Sequence, residues 1–141
     1  MTQNLDTRLD SHSQTVLSLF RVVLGLLFLC HGLSHLFGWP VGPAVDVGQW
    51  PYFYAGCIEL VTGALIAIGL FTRAAAFLAS GTMAFAYFTE HLPDGLLPIS
   101  NGGELAVLYC FAFFLLVFTG GGAYALDAVR KGGGQISASR R

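Results

Sequence analysis

The sequence predicts an all-α protein, an integral membrane four-helix bundle with both termini on the cytoplasmic side. Three observations lead there. The 141 residues are 55% hydrophobic, with 18 glycines, 7 Lys+Arg and 8 Asp+Glu, whereas about a quarter of the residues of an average soluble domain are charged. Four apolar stretches approach the roughly 20 residues that a helix needs to cross a hydrocarbon core. The basic residues fall into alternate connections between those stretches, as they do when cytoplasmic segments carry the Lys and Arg.

The first span is predicted over about 15–37 and ends at Gly38-Trp39-Pro40 and Gly42-Pro43, residues that break a helix. The second covers 52–71 and the third 73–90, joined by Gly69-Leu70-Phe71-Thr72-Arg73, a connection so short that the two helices must be antiparallel neighbours. Pro93, Gly95 and Pro98 interrupt the chain before the fourth span at 104–122. A polar leader over 1–14 and a basic segment over 129–141 read as mobile tails, leaving one membrane domain over 15–128. Arg8, Arg73, Arg130, Lys131, Arg140 and Arg141 then share the inner side. The connections 38–51 and 91–103 carry only Asp46 and Asp94 as charges and face outward. Arg21 within the first span, the span's length and the polar leader argue for a retained anchor over a cleaved signal peptide.

A formal net charge of −1 leaves no basic patch to track a phosphate backbone, which excludes nucleic acid as a partner. Three cysteines without a Cys-x-x-Cys pair build neither a disulfide framework nor a zinc ribbon. Cys30, Cys57 and Cys110 fall near one depth by helical rise, yet free cysteine more often packs as a small hydrophobe.

Ionisable groups inside a span are costly unless paired or functional. At 1.5 Å per residue, Arg21 lies about 9 Å from the inner end, His31 about 24 Å and His35 about 30 Å. Glu59 lies about 10 Å below the outer surface, and Glu90, His91 and Glu104 are near that surface. His31 and His35, four residues apart, share a helix face. Glu59 stands between the small residues Gly56 and Gly63, where a partner helix can approach closely. Such a carboxyl serves either packing, paired to Arg21 or a histidine, or proton transfer and hydrogen bonding to a polar head group. The His31/His35 spacing would suit a shared metal, but no Glu-x-x-His pair accompanies it, so neither metal nor haem is expected. Tyr109 and Tyr87 can donate hydrogen bonds to the same outer pocket.

Taken together, the residues resemble the DoxX family. The stretch 21–38, RVVLGLLFLCHGLSHLFG, looks like its first helix. It is followed in order by Glu59 with Gly63, Gly69 through Arg73, Met83-Ala84-Phe85-Ala86 leading to Glu90-His91-Leu92-Pro93, Gly103-Glu104-Leu105-Ala106 with Tyr109, and Gly120-Gly121-Gly122 before Leu126-Asp127. His35 stands where many relatives carry Lys, so a role needing a permanent cation there is not carried over. The resemblance implies a multi-pass protein of a prokaryotic inner membrane. Relatives include a membrane subunit of a thiosulfate:quinone oxidoreductase and a mycobacterial protein linking a superoxide dismutase to a sulfurtransferase. It further implies a quinone as the group bound and an oxidoreductase as the protein partner, beside the lipid bilayer, with self-association left open. Glu59 and His31 would then exchange protons, with His35, Glu90, His91, Glu104 and Tyr109 around the quinone head group. Arg21 would orient Glu59 or meet a lipid phosphate. The alternative is a non-catalytic scaffold that recruits a soluble enzyme to the membrane. Transport ranks lower, because four short helices enclose little volume and no paired broken helices are evident.

Overall fold

Helix α1 (Thr2–Phe37) starts well before the predicted span, because residues 2–14 contain neither Pro nor Gly. Their short polar side chains also bond back along the helix instead of competing with it, Ser11 Oγ donating to the Arg8 carbonyl at 2.7 Å and Ser13 Oγ to that of Asp10 at 2.8 Å. The segment expected to be a mobile polar leader is thus helical from Thr2. The computed structural model describes residues 2–130, and the basic segment from 131 onward lies outside them.

The chain is all-α, with four main helices. Helix α2 (Tyr52–Ile68) stops three residues short of the predicted end. Gly69 there adopts φ 75°, so that the Gly69 N–H reaches the Ile66 carbonyl and the Leu70 N–H reaches that of Leu65, the paired bonds of a left-handed C-terminal cap. Helix α3 (Thr72–Ala86) runs on into a π-helical turn (Tyr87–His91) and a 3₁₀ turn (Leu92–Asp94). A short α4 (Pro98–Asn101) precedes α5 (Glu104–Thr119), which Gly120 ends at φ 76°. Helix α1 packs along α2, α3 packs along α5, and the two pairs meet mainly through α2 and α3.

Four glycines set the first of these pairings. A Cβ on Gly25 would lie 2.5 Å from the Ala67 backbone nitrogen, on Gly32 2.4 Å from that of Leu60, on Gly63 2.6 Å from that of Leu29, and on Gly56 2.9 Å from the His35 Cβ. The backbones of α1 and α2 therefore touch directly, the close approach that small residues permit between apolar helices. Between the pairs the core is built from Phe28, Ile66, Ala75, Ala76, Ala79, Tyr109, Phe113 and Leu116.

Polarity is inverted relative to a water-soluble domain. Arg21, Glu59, Thr62, Thr72 and Ser80 are buried, while Leu19, Val23 and Leu27 on α1, Phe77 and Leu78 on α3, and Phe111, Leu115 and Phe118 on α5 are exposed. By length and composition α1 can cross a membrane over Leu5–Phe37, and α2 and α5 are shorter apolar helices.

Helix ends at one end of the bundle are closed by arginines. Arg21, 2% exposed, donates from Nε to the Gly121 carbonyl at 2.8 Å and from one terminal nitrogen to the Ile66 and Ala67 carbonyls at 2.7 and 2.5 Å. Arg73 reaches the Val117 and Phe118 carbonyls of α5 at 2.7 and 2.8 Å. Between them they satisfy the last-turn carbonyls of Ala67, Val117 and Phe118, which lack an intrahelical partner, and both place a cation at the negative end of a helix dipole. Asp127 completes this end by accepting the Phe71 and Thr72 N–H groups at 2.9 and 2.8 Å. Partial burial alone would raise its carboxyl, but those two bonds and nearby Arg130 outweigh it and hold the group below the usual aspartate range.

Two predictions follow from this packing. Gly32→Leu should separate α1 from α2 and cost about 1–3 kcal/mol or more, read as a lower thermal midpoint in detergent, whereas Gly81→Ala, whose Cβ meets nothing within 4 Å, should leave the midpoint unchanged or raise it. Because Asp127 is depressed in the folded state, its carboxylate stabilises the protein above the ordinary aspartate pKa of about 3.9, and that stabilisation fades as the pH falls through the lowered value. Thermal midpoints of Asp127→Asn should therefore trail wild type near neutrality and converge with it as the pH falls below the ordinary aspartate range; a gap that widens in acid would contradict the assignment.

Candidate functional site

The glycine seam brings His35 of α1 against α2, where its Nδ1 lies 2.8 Å from Glu59 Oε2. Glu59 is 3% exposed, so this hydrogen bond, its proton carried by either partner, keeps a buried carboxyl from standing unpaired. At the start of α2, Tyr52 Oη donates to Glu90 Oε2. Glu90 is presented by the π-helical turn, whose extra residue per turn shifts the register of the side chains it carries, a device frequent at functional sites. His91 follows it and contacts the Asn101 carbonyl through Nδ1 at 3.2 Å.

These groups border one cavity of about 770 Å³ between the α1/α2 pair and the α3/α5 pair. Its polar side is formed by His31, His35, Glu59, Tyr52, Glu90 and His91, and its remaining walls are mostly apolar, with Trp50, Ile58, Phe77, Leu78 and Phe85 among them. The Tyr109 ring closes the inner wall, edge-on to His31 at 5.7 Å and stacked on Phe113 at 5.7 Å. A mostly apolar cleft of this size with a few convergent polar groups is the usual form of a small-molecule site.

Of the residues singled out from the sequence, His31, His35, Glu59, Glu90, His91 and Tyr109 are brought together here. Two are not. Glu104 is exposed in the first turn of α5, where a carboxylate favours the positive end of the helix dipole, and it does not line the cavity. Arg21 neither orients Glu59 nor reaches the surface, because its guanidinium is taken up by four carbonyls at the opposite end, that of Tyr124 included. Cys30, Cys57 and Cys110 are free thiols. Among the described residues no three of His, Cys, Asp and Glu converge as a metal-ligand group.

Trp50 and Tyr52, neither of them singled out from the sequence, also line the cavity. The signal for Tyr52 was present, since antiparallel second and third spans put its position level with Glu90. Asn101 went unnoticed. Its side chain donates to the Gly95 carbonyl at 2.6 Å and accepts the Gly103 N–H at 2.8 Å, folding the connection between α3 and α5 beneath His91.

The DoxX family model matches residues 16–92, from the first helix through the π-helical turn that carries Glu90 and His91. The chain belongs to the DoxX family. This is a membrane-associated family. An uncharacterized protein of Haemophilus influenzae is 41% identical over 125 residues, covering 84% of this chain and 93% of the relative. A Bacillus subtilis protein that carries the name "Putative oxidoreductase CatD" is 31% identical over 113 residues, covering 77% and 82%. No solved structure matches this DoxX family chain.

The His35–Glu59 pair yields a double-mutant test. His35→Leu should leave the Glu59 carboxyl buried without its partner and lower stability by about 1–3 kcal/mol. Adding Glu59→Leu should recover much of that loss, because two apolar groups leave nothing unsatisfied. Strictly additive losses in thermal denaturation would mean that the two residues do not act as a pair.

Proposed function

We propose that this DoxX family protein is a four-span membrane subunit, with both termini inside, that binds a quinone in the outer cavity and works with a partner oxidoreductase. The inverted polarity supports the membrane reading. Helices whose outward faces carry Leu19, Leu27, Phe77, Phe111 and Phe118 would expose far more contiguous apolar surface than a soluble monomer tolerates, and the buried Arg21 and Glu59 are both hydrogen-bonded, as lipid surroundings require. The single observation that carries the quinone reading is the cavity itself, whose Glu59–His35 and Tyr52–Glu90 pairs face mostly apolar walls.

A quinone fits the donor set, since a ring with two carbonyl oxygens asks for hydrogen-bond donors at its polar edge and apolar contact elsewhere. When bound it supplies a two-electron, two-proton redox couple, with the electrons coming from the partner. The chain's own residues handle protons and orientation. His35 Nδ1 and Glu59 Oε2 hold a proton between them away from water, where either can release it toward the cavity. Tyr52 and Glu90 hold a second shared proton near the outer connection, and His91 beside them offers a route outward. Tyr109, packed against Phe28 and Phe113, lines the cavity below these pairs and offers no titrating group at neutral pH there. The name carried by the Bacillus relative accords with redox work.

A second reading, a scaffold for a soluble enzyme, is favoured by the exposed helical extension of α1 over 5–16. It needs no cavity, so it predicts indifference to Glu59.

Trp50 lies in the cavity wall beside Phe85, ring centroids 6.1 Å apart, and a bound quinone should quench its fluorescence. Titration of the detergent-purified protein with decylubiquinone should give saturable quenching that disappears in Trp50→Phe. Glu59→Gln should weaken binding about tenfold or more, roughly the 1.4 kcal/mol of one charge-assisted hydrogen bond. Unchanged affinity in Glu59→Gln would remove Glu59 from the head-group site, and the absence of saturable quenching in wild type would remove the quinone assignment and leave the scaffold.

A further inference from the structure

The cavity is polar at one end and apolar at the other, and its apolar end reaches the outside of the bundle. From Thr89 in the π-helical turn down to Phe77 on α3 the lining spans twelve residue steps, about 18 Å of helix, longer than a single ring requires. Every carboxyl and imidazole that lines it belongs to the Glu59, His31/His35 and Glu90/His91 groups. Farther down α3 the wall changes character. Phe77, Leu78, Gly81 and Phe85 recur at helical spacing along one side of α3 and line the cavity together with Tyr54 and Ile58 of α2. All six are exposed on the bundle exterior as well as lining the cavity, so the space between α2 and α3 opens sideways. Gly81 widens it, since a Cβ there would meet nothing within 4 Å.

We infer that this side opening is a lateral portal for a long apolar tail, so that the ligand is a lipid-borne prenylated quinone that enters from the bilayer between α2 and α3. The inference rests on the quinone reading above and adds the tail, its route and the residues that line it. Head group and tail are recognised separately. Hydrogen bonds at Glu59–His35 and Tyr52–Glu90 orient the ring, and the Tyr54/Ile58 and Phe77/Leu78/Gly81 walls hold the chain by close apolar packing, the term that remains when a tail arrives from lipid. Lateral entry also explains why the pairing of α2 with α3 is looser than the glycine-locked pairing of α1 with α2.

The test compares the tailless ring 2,3-dimethoxy-5-methyl-1,4-benzoquinone with decylubiquinone by Trp50 quenching, in wild type and in Gly81→Phe. The new side chain grows into open space without a backbone clash, and a helical CD spectrum and thermal midpoint equal to wild type establish that the fold is intact; Leu78→Phe is the second variant from the same stripe. The expected result is that both variants lose about tenfold or more in decylubiquinone affinity while the tailless ring binds within about twofold of wild type. Equal losses for both ligands, or no loss for either, would overturn the portal while leaving a quinone head-group site standing. Saturable quenching by neither ligand in wild type would overturn the quinone reading and the portal with it.

Discussion

Backbone contact between α1 and α2 is the constraint from which the rest of the molecule takes its shape. Gly25 and Gly32 on one helix and Gly56 and Gly63 on the other leave no room for a Cβ, and only at that separation can His35 Nδ1 come within 2.8 Å of Glu59. Moving the helices apart by one side chain would break that bond and leave a carboxyl alone in an apolar interior, a cost of several kcal/mol by general measure. Packing and chemistry are thus one feature here. The residues with no side chain position the residues whose side chains carry charge.

The two ends of the bundle are built for different purposes. At one end Arg21, Arg73 and Asp127 tie the tails of α2 and α5 and the head of α3 into a closed set of hydrogen bonds to backbone groups, and their polar capacity is spent on the fold. At the other end the π-helical turn, the 3₁₀ turn and α4 make an irregular connection that Asn101 braces. The side chains there point into a cavity instead of saturating the backbone. Irregular structure of this kind above a regular, hydrogen-bonded base is the part of a fold from which functional regions tend to be drawn.

Much of this was legible in the sequence, for physical reasons that differ by residue. Helix number and order followed from apolar runs broken by Gly and Pro, and the Glu59 neighbourhood followed from small residues flanking a buried acid. Helix boundaries were less legible. The leader over 2–14 reads as a tail because it is polar, yet nothing in it breaks a helix, and α1 continues through it. Arg21 was legible as costly but not as a clamp, since the carbonyls it satisfies lie 45 to 103 residues away in sequence. Glu104 looked equivalent to Glu90 by depth, but depth says nothing about azimuth, and only the fold shows one turned to the cavity and the other to the exterior. Asn101 carries no signal without the loop geometry that it braces.

The account stands on the Glu59–His35 pair holding a redox-active head group in the outer cavity, and native mass spectrometry of the protein released from its own membranes in mild detergent tests this most directly. A quinone-sized adduct on the wild-type chain, lost in Glu59→Gln at equal folded yield, is the predicted result. A wild-type chain that emerges without such an adduct, or an adduct that survives in Glu59→Gln, would contradict it.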